Sequence, residues 1–350
     1  MGLSLMGSGL NLLESSKYFG FNKEVGILPS SLVASAGDMK LLKFSSEAPS
    51  LEVESEKPPL LVVPSLINRY YILDLLPEKS FLRFLSKSFS VYLIDWGEPK
   101  RGAQNLSVES LLELHFDLLY SKLLAVEQAE SVHMMGHCLG GDIALLWSLI
   151  CPEKVKSLTL LTTPIDFSAE GKLNSWAHSE ALNLQVFQEA YGNAPWFLMQ
   201  GAFHALRPLQ PLHKLRRLLP QLKNKKVMDS FTALETWSAD SRDVLGGCYK
   251  DLIQNFYREN CLIKAGFNFL GKNYLLSDLK VPVASVAAED DHIVPFAGTL
   301  SAEQVPAATA FAKWTTRGGH IGGLLGREAQ QVCWPELAAW IKQQGPVNVQ

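Results

Sequence analysis

The sequence lacks the patterns that mark membrane, secreted and nucleic-acid-binding proteins. No apolar run approaches the ~18 residues that a membrane-spanning helix needs. Residues 1–7 lack the basic start of a signal peptide, so we expect a cytoplasmic protein. No cluster of lysine and arginine is interleaved with aromatic residues, and the formal net charge is only −3. We therefore expect no nucleic-acid partner.

Cysteine is also scarce, with five residues that have no C-x-x-C spacing. This odd number predicts reduced thiols rather than a disulfide framework. No group of His, Cys and Asp has metal-ligand spacing, so we expect neither a metal nor another cofactor. Hydrophobic residues instead make up 47% of the chain and charged residues 19%. Such a composition indicates a globular enzyme with a large core.

Short apolar runs that alternate with helical patterns predict an α/β fold with a mostly parallel central sheet flanked by helices. The helical periodicity of residues 107–126 begins at Ser107, a candidate N-cap, and a closing helix is predicted over residues 328–344. The predicted strands are residues 60–63, 89–94, 131–135, 155–162, 281–287 and 308–315.

The alternation stops at residue 168 and resumes near residue 279. The residues between these points are aromatic-rich and helical in pattern, which predicts a helical cap inserted into the core. We therefore predict a weakly patterned lead-in over residues 1–57, an α/β-hydrolase core over 58–167 and 279–350, and a cap over 168–278.

The most informative motif is residues 136–141, which read Gly-His-Cys-Leu-Gly-Gly. This is the G-x-nucleophile-x-G elbow of an α/β-hydrolase, with cysteine in place of the usual serine. A strand, a sharp glycine turn and a helix would present Cys138 at the top of the sheet. The glycines are needed because the turn is strained and the helix packs close to the strand. His137, beside the nucleophile, is interpreted as a packing residue, with contact to the site as the alternative.

A cysteine nucleophile needs a base, and the base needs an orienting acid. In α/β-hydrolases these follow in the order nucleophile, acid, histidine. Asp291 and His320 fit this order, and each follows a predicted strand, where open α/β sheets form their sites. Asp290 is the alternative acid and His292 the alternative base.

The oxyanion hole is expected to use the backbone N–H of Leu139, which follows the nucleophile at a helix N-terminus. A second N–H should come from the loop after the first buried strand, residues 64–69. Leu66 is the preferred donor, and Ile67 is the alternative and a neighbour of the site.

The choice of cysteine favours acyl transfer. A free thiol has a pKa of ~8.5, which a helix N-terminus or an imidazolium lowers. Attack of a thiolate on a thioester gives another thioester, so the acyl group stays activated and can pass to a hydroxyl group. A serine would hold the same group as a more stable oxygen ester. Cysteine hydrolases with the same elbow remain an alternative.

Several runs of the sequence resemble polyhydroxyalkanoate synthases. The resemblance spans roughly residues 55–345, and its most specific parts are Asn-Arg-Tyr-Tyr-Ile-Leu-Asp-Leu at 68–75 and Tyr-Leu-Ile-Asp-Trp-Gly at 92–97. Weaker similarity occurs in the cap, around Trp237 and Asn255, both interpreted as structural. The other matching runs are residues 136–141, 163–167, 289–295 and 319–323.

The resemblance implies a poly-3-hydroxybutyrate synthase catalytic subunit of the short form. It implies that Cys138 is acylated by (R)-3-hydroxyacyl-CoA, that His320 activates the thiol and the incoming 3-hydroxyl, and that Asp291 supports His320. His292 would neighbour the site. The implied partners are the growing polyester chain or granule surface, with a homodimer left open.

Two departures from the family keep alternatives open. The long N-terminal domain of single-subunit synthases is missing, which implies a separate partner subunit. The cap matches only loosely, and this favours the alternative of a cysteine hydrolase acting on thioesters or hydroxyalkanoate oligomers. A non-catalytic granule-associated homologue is a third hypothesis, against which the presence of Cys138, Asp291 and His320 argues.

Overall fold

A computed structural model describes residues 24–45, 57–100, 102–209 and 218–345, and residues 212, 214 and 216. Residues 1–23 and 46–56 of the predicted lead-in lie outside the described residues. The sequence start on which the cytoplasmic prediction depends lies there too.

An eight-stranded sheet forms the centre of the molecule, with strand order β1-β2-β4-β3-β5-β6-β9-β10. Neighbouring strands are parallel throughout the part β4-β3-β5-β6-β9-β10. At one edge of the sheet, β2 pairs antiparallel with β4, and β1 pairs antiparallel with β2. The strands are β1 (Ser30–Ala36), β2 (Met39–Phe44), β3 (Pro59–Val63), β4 (Ser90–Asp95), β5 (Val132–His137), β6 (Val155–Leu161), β9 (Val283–Ala288) and β10 (Phe311–Thr316). The predicted fold class is confirmed.

The central strands are buried on both faces, as their continuous apolar runs predict. All residues of β3, β5 and β9 are buried, and helices cover the sheet. By contrast β1 is largely exposed, and β2 is buried at three of its six positions and partly or fully exposed at the others. The interpretation that the core starts at residue 58 is therefore wrong, because residues 30–44 already form two strands of the sheet. Their polar, half-exposed pattern gives no apolar run.

Helices follow the strands and fill the segment between β6 and β9. The α-helices are α1 (Phe81–Ser86), α2 (Val108–Leu111), α3 (Asp117–Glu127), α4 (Leu139–Ile150), α5 (Lys172–Ala177), α6 (Leu184–Tyr191), α7 (Trp196–Leu206), α8 (Lys225–Ala239), α9 (Gly246–Asp251), α10 (Cys261–Lys264), α11 (Gly322–Leu325) and α12 (Trp334–Gln343). π-Helical stretches are Leu112–Phe116, Leu252–Arg258 and Ala329–Cys333.

The helix predicted from residue 107 begins as expected. The Ser107 side chain accepts a hydrogen bond from the Ser110 N–H at 3.1 Å, which satisfies one free donor of the first turn. Between β6 and β9 the chain is mainly helical, with a short hairpin of β7 (Phe267–Phe269) and β8 (Lys272–Tyr274) that the sequence pattern does not predict. The division into core and cap stays a prediction.

Among the described helices, none is long and apolar enough to cross a membrane. The cysteines at positions 138, 151, 248, 261 and 333 are free thiols.

Buried histidines make the stability of the fold sensitive to acid. His133 in β5 contacts the Ser157 hydroxyl at 2.8 Å, and burial lowers its pKa to about 4. Below pH 6.5 the unfolded chain therefore binds a proton that folded His133 does not, and stability falls as the pH falls. Between pH 6.5 and 5 this one residue should remove about 2 kcal/mol of the free energy of unfolding.

His133→Gln should lose that pH dependence while His178→Gln, a matched change at an exposed position, keeps it. Urea unfolding at pH 7 and pH 5 measures the difference. Equal acid sensitivity in all three proteins would contradict the assignment.

Candidate active site

Cys138 lies in the sharp turn between β5 and α4, at the carboxyl end of the sheet. Its φ of 52° and ψ of −131° are strained for a residue with a side chain. The turn is tight because the strand and helix touch: a Cβ at Gly140 would lie 2.1 Å from the Pro64 carbonyl oxygen, and one at Gly141 would lie 1.9 Å from Thr163 Oγ1. Glycine is therefore required on this side of the elbow.

Gly140→Ala should destabilise the protein by about 3 kcal/mol, since the added methyl group meets rigid backbone. Gly201→Ala is the control, because that glycine lies in α7 with no atom near the added Cβ. It should stabilise the protein by about 0.5–1 kcal/mol through helix propensity. Urea unfolding measures both changes, and a neutral Gly140 variant would disprove the close contact.

His320 and Asp291 form a buried pair next to the nucleophile. His320 Nδ1 lies 2.7 Å from Asp291 Oδ2, while Asp291 Oδ1 accepts the N–H groups of Ile293 and Val294 at 2.9 Å. Burial opposes the carboxylate, yet His320 and these N–H groups hold the pKa of Asp291 below its usual range. The Asp291 carboxylate is thus oriented to accept a hydrogen bond from His320 Nδ1.

The surroundings of His320 favour the protonated form of its imidazole. Burial would lower its pKa, but the side chains of Cys138 and Asp291 raise the pKa to about 10. With Nδ1 engaged by Asp291, Nε2 is left for Cys138. The structure therefore brings together Cys138, His320 and Asp291 from the ends of β5, β10 and β9.

The alternative acid and base are not part of this group. Asp290 is exposed, and its carbonyl oxygen accepts a hydrogen bond from Arg207 at 3.5 Å. His292 lies in a neighbouring cavity, where its Nδ1 is buried without a partner among the described residues. Burial and Arg207 lower the pKa of His292. Local spacing in the sequence preferred Asp291 over Asp290, and in the structure it is Asp291 that pairs with His320.

His137 lies closer to the site than its interpretation as a packing residue implies. Its ring centroid is 5.6 Å from that of His320, and neither ring nitrogen has a partner among the described residues. Burial and the neighbouring His320 lower the pKa of His137 to about 3. A neutral ring at this position supports His320 without adding a competing charge.

The predicted oxyanion donors differ in their surroundings. Leu139 opens α4, where the first N–H groups have no acceptor within the helix. The Ile67 N–H already donates to Ser65 Oγ at 3.3 Å, although the Ile67 side chain borders the cleft of Cys138. The Leu66 side chain borders a second cavity instead. Leu139 and Leu66 as oxyanion donors stay predictions.

An apolar cleft opens over Cys138, with about 780 Å³ of empty space that includes its opening to solvent. Helices from the segment between β6 and β9 supply most of its wall. Tyr257 is a wall residue that the sequence interpretation did not single out, and burial raises its pKa above the usual range. Other lining residues are Leu173, Trp176, Leu198, Met199, Phe203, Leu252 and Ile293.

Trp237 and Asn255 both make contacts within the scaffold. Trp237 Nε1 donates to the Arg69 carbonyl oxygen at 2.9 Å, and Asn255 donates to Asp251 at 3.1 Å. Neither borders the cleft. Across the described parts of the chain, no group of three or more His, Cys, Asp or Glu could hold a metal ion.

Comparisons with known proteins agree with the α/β fold and show which family the chain resembles. A family model described as "alpha/beta hydrolase fold" matches residues 58–320, and one described as "Poly-beta-hydroxybutyrate polymerase (PhaC) N-terminus" matches residues 7–85. A solved structure titled as a hydrolase from Pseudomonas aeruginosa PA01 has a TM-score of 0.55 at 16% identity, covering 91% of this chain and 99% of its own. This likeness bears on the fold alone.

Two curated relatives carry the name "Poly(3-hydroxyalkanoate) polymerase subunit PhaC". The relative from Haloarcula marismortui is 30% identical over 328 residues, covering 91% of this chain and 69% of its own length. The relative from Thiocystis violacea is 28% identical over 344 residues, covering 97% of this chain and 94% of its own length. The N-terminal family match includes the residues that the sequence interpretation assigned to a lead-in.

Proposed function

Since this chain belongs to the poly(3-hydroxyalkanoate) polymerase family and has the α/β-hydrolase fold, we propose that it polymerises (R)-3-hydroxyacyl-CoA into polyester with release of coenzyme A. The observation that carries the proposal is a cysteine at the elbow, beneath an apolar cleft and next to a buried histidine–aspartate pair. Together with the 30% identity to a polymerase subunit, this arrangement supports an acyltransferase.

In the first half-reaction, Cys138 takes the acyl group from coenzyme A. His320 Nε2 accepts the thiol proton, and the Cys138 sulfur attacks the thioester carbonyl carbon. A new carbon–sulfur bond forms, and the bond between that carbon and the coenzyme A sulfur breaks. The leaving thiolate takes the proton back from His320. The Asp291–His320 hydrogen bond of 2.7 Å supports the orientation of the imidazole through both transfers.

In the second half-reaction, a 3-hydroxyl group takes the place of the thiol. His320 accepts the hydroxyl proton, the oxygen attacks the acyl carbon on Cys138, and an ester bond forms as the carbon–sulfur bond breaks. The sulfur regains its proton from His320. The apolar cleft favours this outcome because it stabilises acyl chains by about 0.8 kcal/mol per CH₂ group and keeps competing water away.

The proposal is tested by mixing the purified protein with (R)-3-hydroxybutyryl-CoA, following free thiol and analysing the product by mass. Thiol release with ester-linked oligomers is expected. Release of free 3-hydroxybutyrate alone would disprove polymerisation and leave a cysteine thioesterase.

Location and assembly are further proposals. We place the enzyme in the cytoplasm at the surface of polyester granules, with no cofactor beyond the coenzyme A thioester substrate. The word "subunit" in the names of both relatives supports a separate partner subunit, and a homodimer is the alternative. Light scattering of the purified protein distinguishes monomer from dimer.

A further inference from the structure

A second, smaller cavity adjoins the open cleft at Leu139. Its empty space of about 350 Å³ includes space open to solvent, so only a small group fits inside it. Leu139 and Leu252 border both this cavity and the cleft of Cys138, so the two spaces are neighbours separated by side chains. Its wall is apolar apart from Asp142 and Cys248. Other lining residues are Leu66, Val108, Ile143, Val244 and Phe256.

Asp142 is the unexplained group of this cavity. Its side chain is buried, and neither carboxyl oxygen has a hydrogen-bond partner in another described residue, although the backbone N–H of Asp142 itself lies near the carboxyl group. The thiol of Cys248, in contrast, already contacts the Leu106 carbonyl oxygen at 3.4 Å. A buried polar atom without a partner costs roughly 1–3 kcal/mol, so such groups are rare unless a ligand or water uses them.

Burial of the Asp142 carboxyl group favours its protonated form. Burial raises its pKa well above the usual range, and a negative charge on Cys138 would raise it further. The N-terminus of α4 favours a carboxylate, but this contribution is small beside the cost of a buried, unpaired charge. A protonated carboxyl group offers one O–H donor to a ligand.

Asp142 also lies within reach of an acyl group on Cys138. Cys138 is the N-cap of α4 and Asp142 lies in its first turn, and Leu139 between them borders both the cleft of Cys138 and the cavity of Asp142. The 3-hydroxyl of an acyl group is only a few bonds from the sulfur that carries it. A 3-hydroxyl directed past Leu139 into the second cavity would bring this oxygen towards Asp142.

We propose that Asp142 determines substrate specificity by hydrogen-bonding the 3-oxygen of the acyl group on Cys138. This inference rests on the proposed polymerase function. It assigns Asp142 to recognition of the 3-hydroxyl group, which a 3-hydroxyacyl thioester has and an ordinary acyl thioester lacks. A site that hydrogen-bonds a substrate hydroxyl rejects analogues that lack it, because its own polar group is then left unpaired.

The test compares acylation of Cys138 by (R)-3-hydroxybutyryl-CoA and butyryl-CoA in single-turnover experiments, with the acyl-enzyme identified by intact mass. The wild-type protein should prefer the hydroxylated substrate by about 100-fold or more. Asp142→Leu keeps the size of the side chain and removes its donor. It should slow acylation by the hydroxylated substrate at least tenfold more than acylation by butyryl-CoA. Asp142→Asn keeps an N–H donor and should retain most of the preference.

Two further results separate the alternatives. If Asp142→Leu slows both substrates by the same factor, Asp142 only supports the elbow and the inference is overturned. Alkylation of Cys138 by iodoacetamide and thermal melting report whether each variant keeps a folded, reactive site. If the wild-type protein is acylated by neither thioester, the proposed function fails first. Polymer formation with an unchanged preference in Asp142→Leu overturns the specificity role alone.

Discussion

Replacing Cys138 by alanine is expected to abolish release of coenzyme A from (R)-3-hydroxybutyryl-CoA, with a loss of roughly 10⁴-fold or more. The loss should be this large because the sulfur forms the covalent bond in the first half-reaction and no other cysteine borders the cleft. A spectroscopic thiol assay and intact-mass analysis measure both the rate and the acyl-enzyme. The elbow geometry should survive, since alanine adopts the same backbone as readily as cysteine.

Cys138→Ser is the matched control, because it keeps a nucleophile of similar shape at the same strained turn. Its hydroxyl is a weaker nucleophile, and the resulting oxygen ester is a poorer acyl donor. We therefore expect slow acylation and accumulation of the acyl-enzyme, with less polymer per acylated site. A Cys138→Ala variant that released thiol at the wild-type rate, while both variants melted normally, would rule out a covalent role for this residue.

The elbow could be predicted from the sequence because its determinants are local. Gly140 and Gly141 are needed at fixed positions relative to Cys138, and an apolar strand and helix lie on either side. The order of Asp291 and His320 along the chain likewise follows from the topology of a parallel sheet, whose strands all end at the same edge. The structure adds the contact itself, which depends on the side-chain directions in two separate loops.

Other features could not be predicted because they depend on distant packing. In the sequence, Asp142 has the pattern of an ordinary helix residue. The residues that line its cavity, among them Leu66, Val108 and Phe256, come from other parts of the chain. The position of His137 beside His320 depends on the loop after β10. Strands β1 and β2 have no continuous apolar run because one face of each meets solvent. Each case requires knowledge of what lies across the fold.

Replacing His320 by glutamine is expected to lower turnover by about 10³-fold or more, since both half-reactions need a group that accepts and returns a proton. Glutamine can fill the site and hydrogen-bond Asp291 but cannot accept the proton. Alkylation of Cys138 by iodoacetamide at pH 7 should slow as well, because no imidazole takes the thiol proton. His292→Gln is the control, since that histidine lies in the neighbouring cavity and His320, not His292, pairs with Asp291 Oδ2.

Asp291→Asn separates the orientation of His320 from its presence. The variant keeps the size of the side chain, but its amide can present an N–H to Nδ1 and so hold a neutral imidazole in the tautomer that leaves Nε2 protonated. It also removes a charge that helps raise the pKa of His320, so the imidazole holds the thiol proton less firmly. Turnover should therefore fall by roughly 10²–10⁴-fold with little change in KM. If Asp291→Asn raised KM alone, the pair would bind substrate rather than move protons, and the roles of both residues would have to be reassigned.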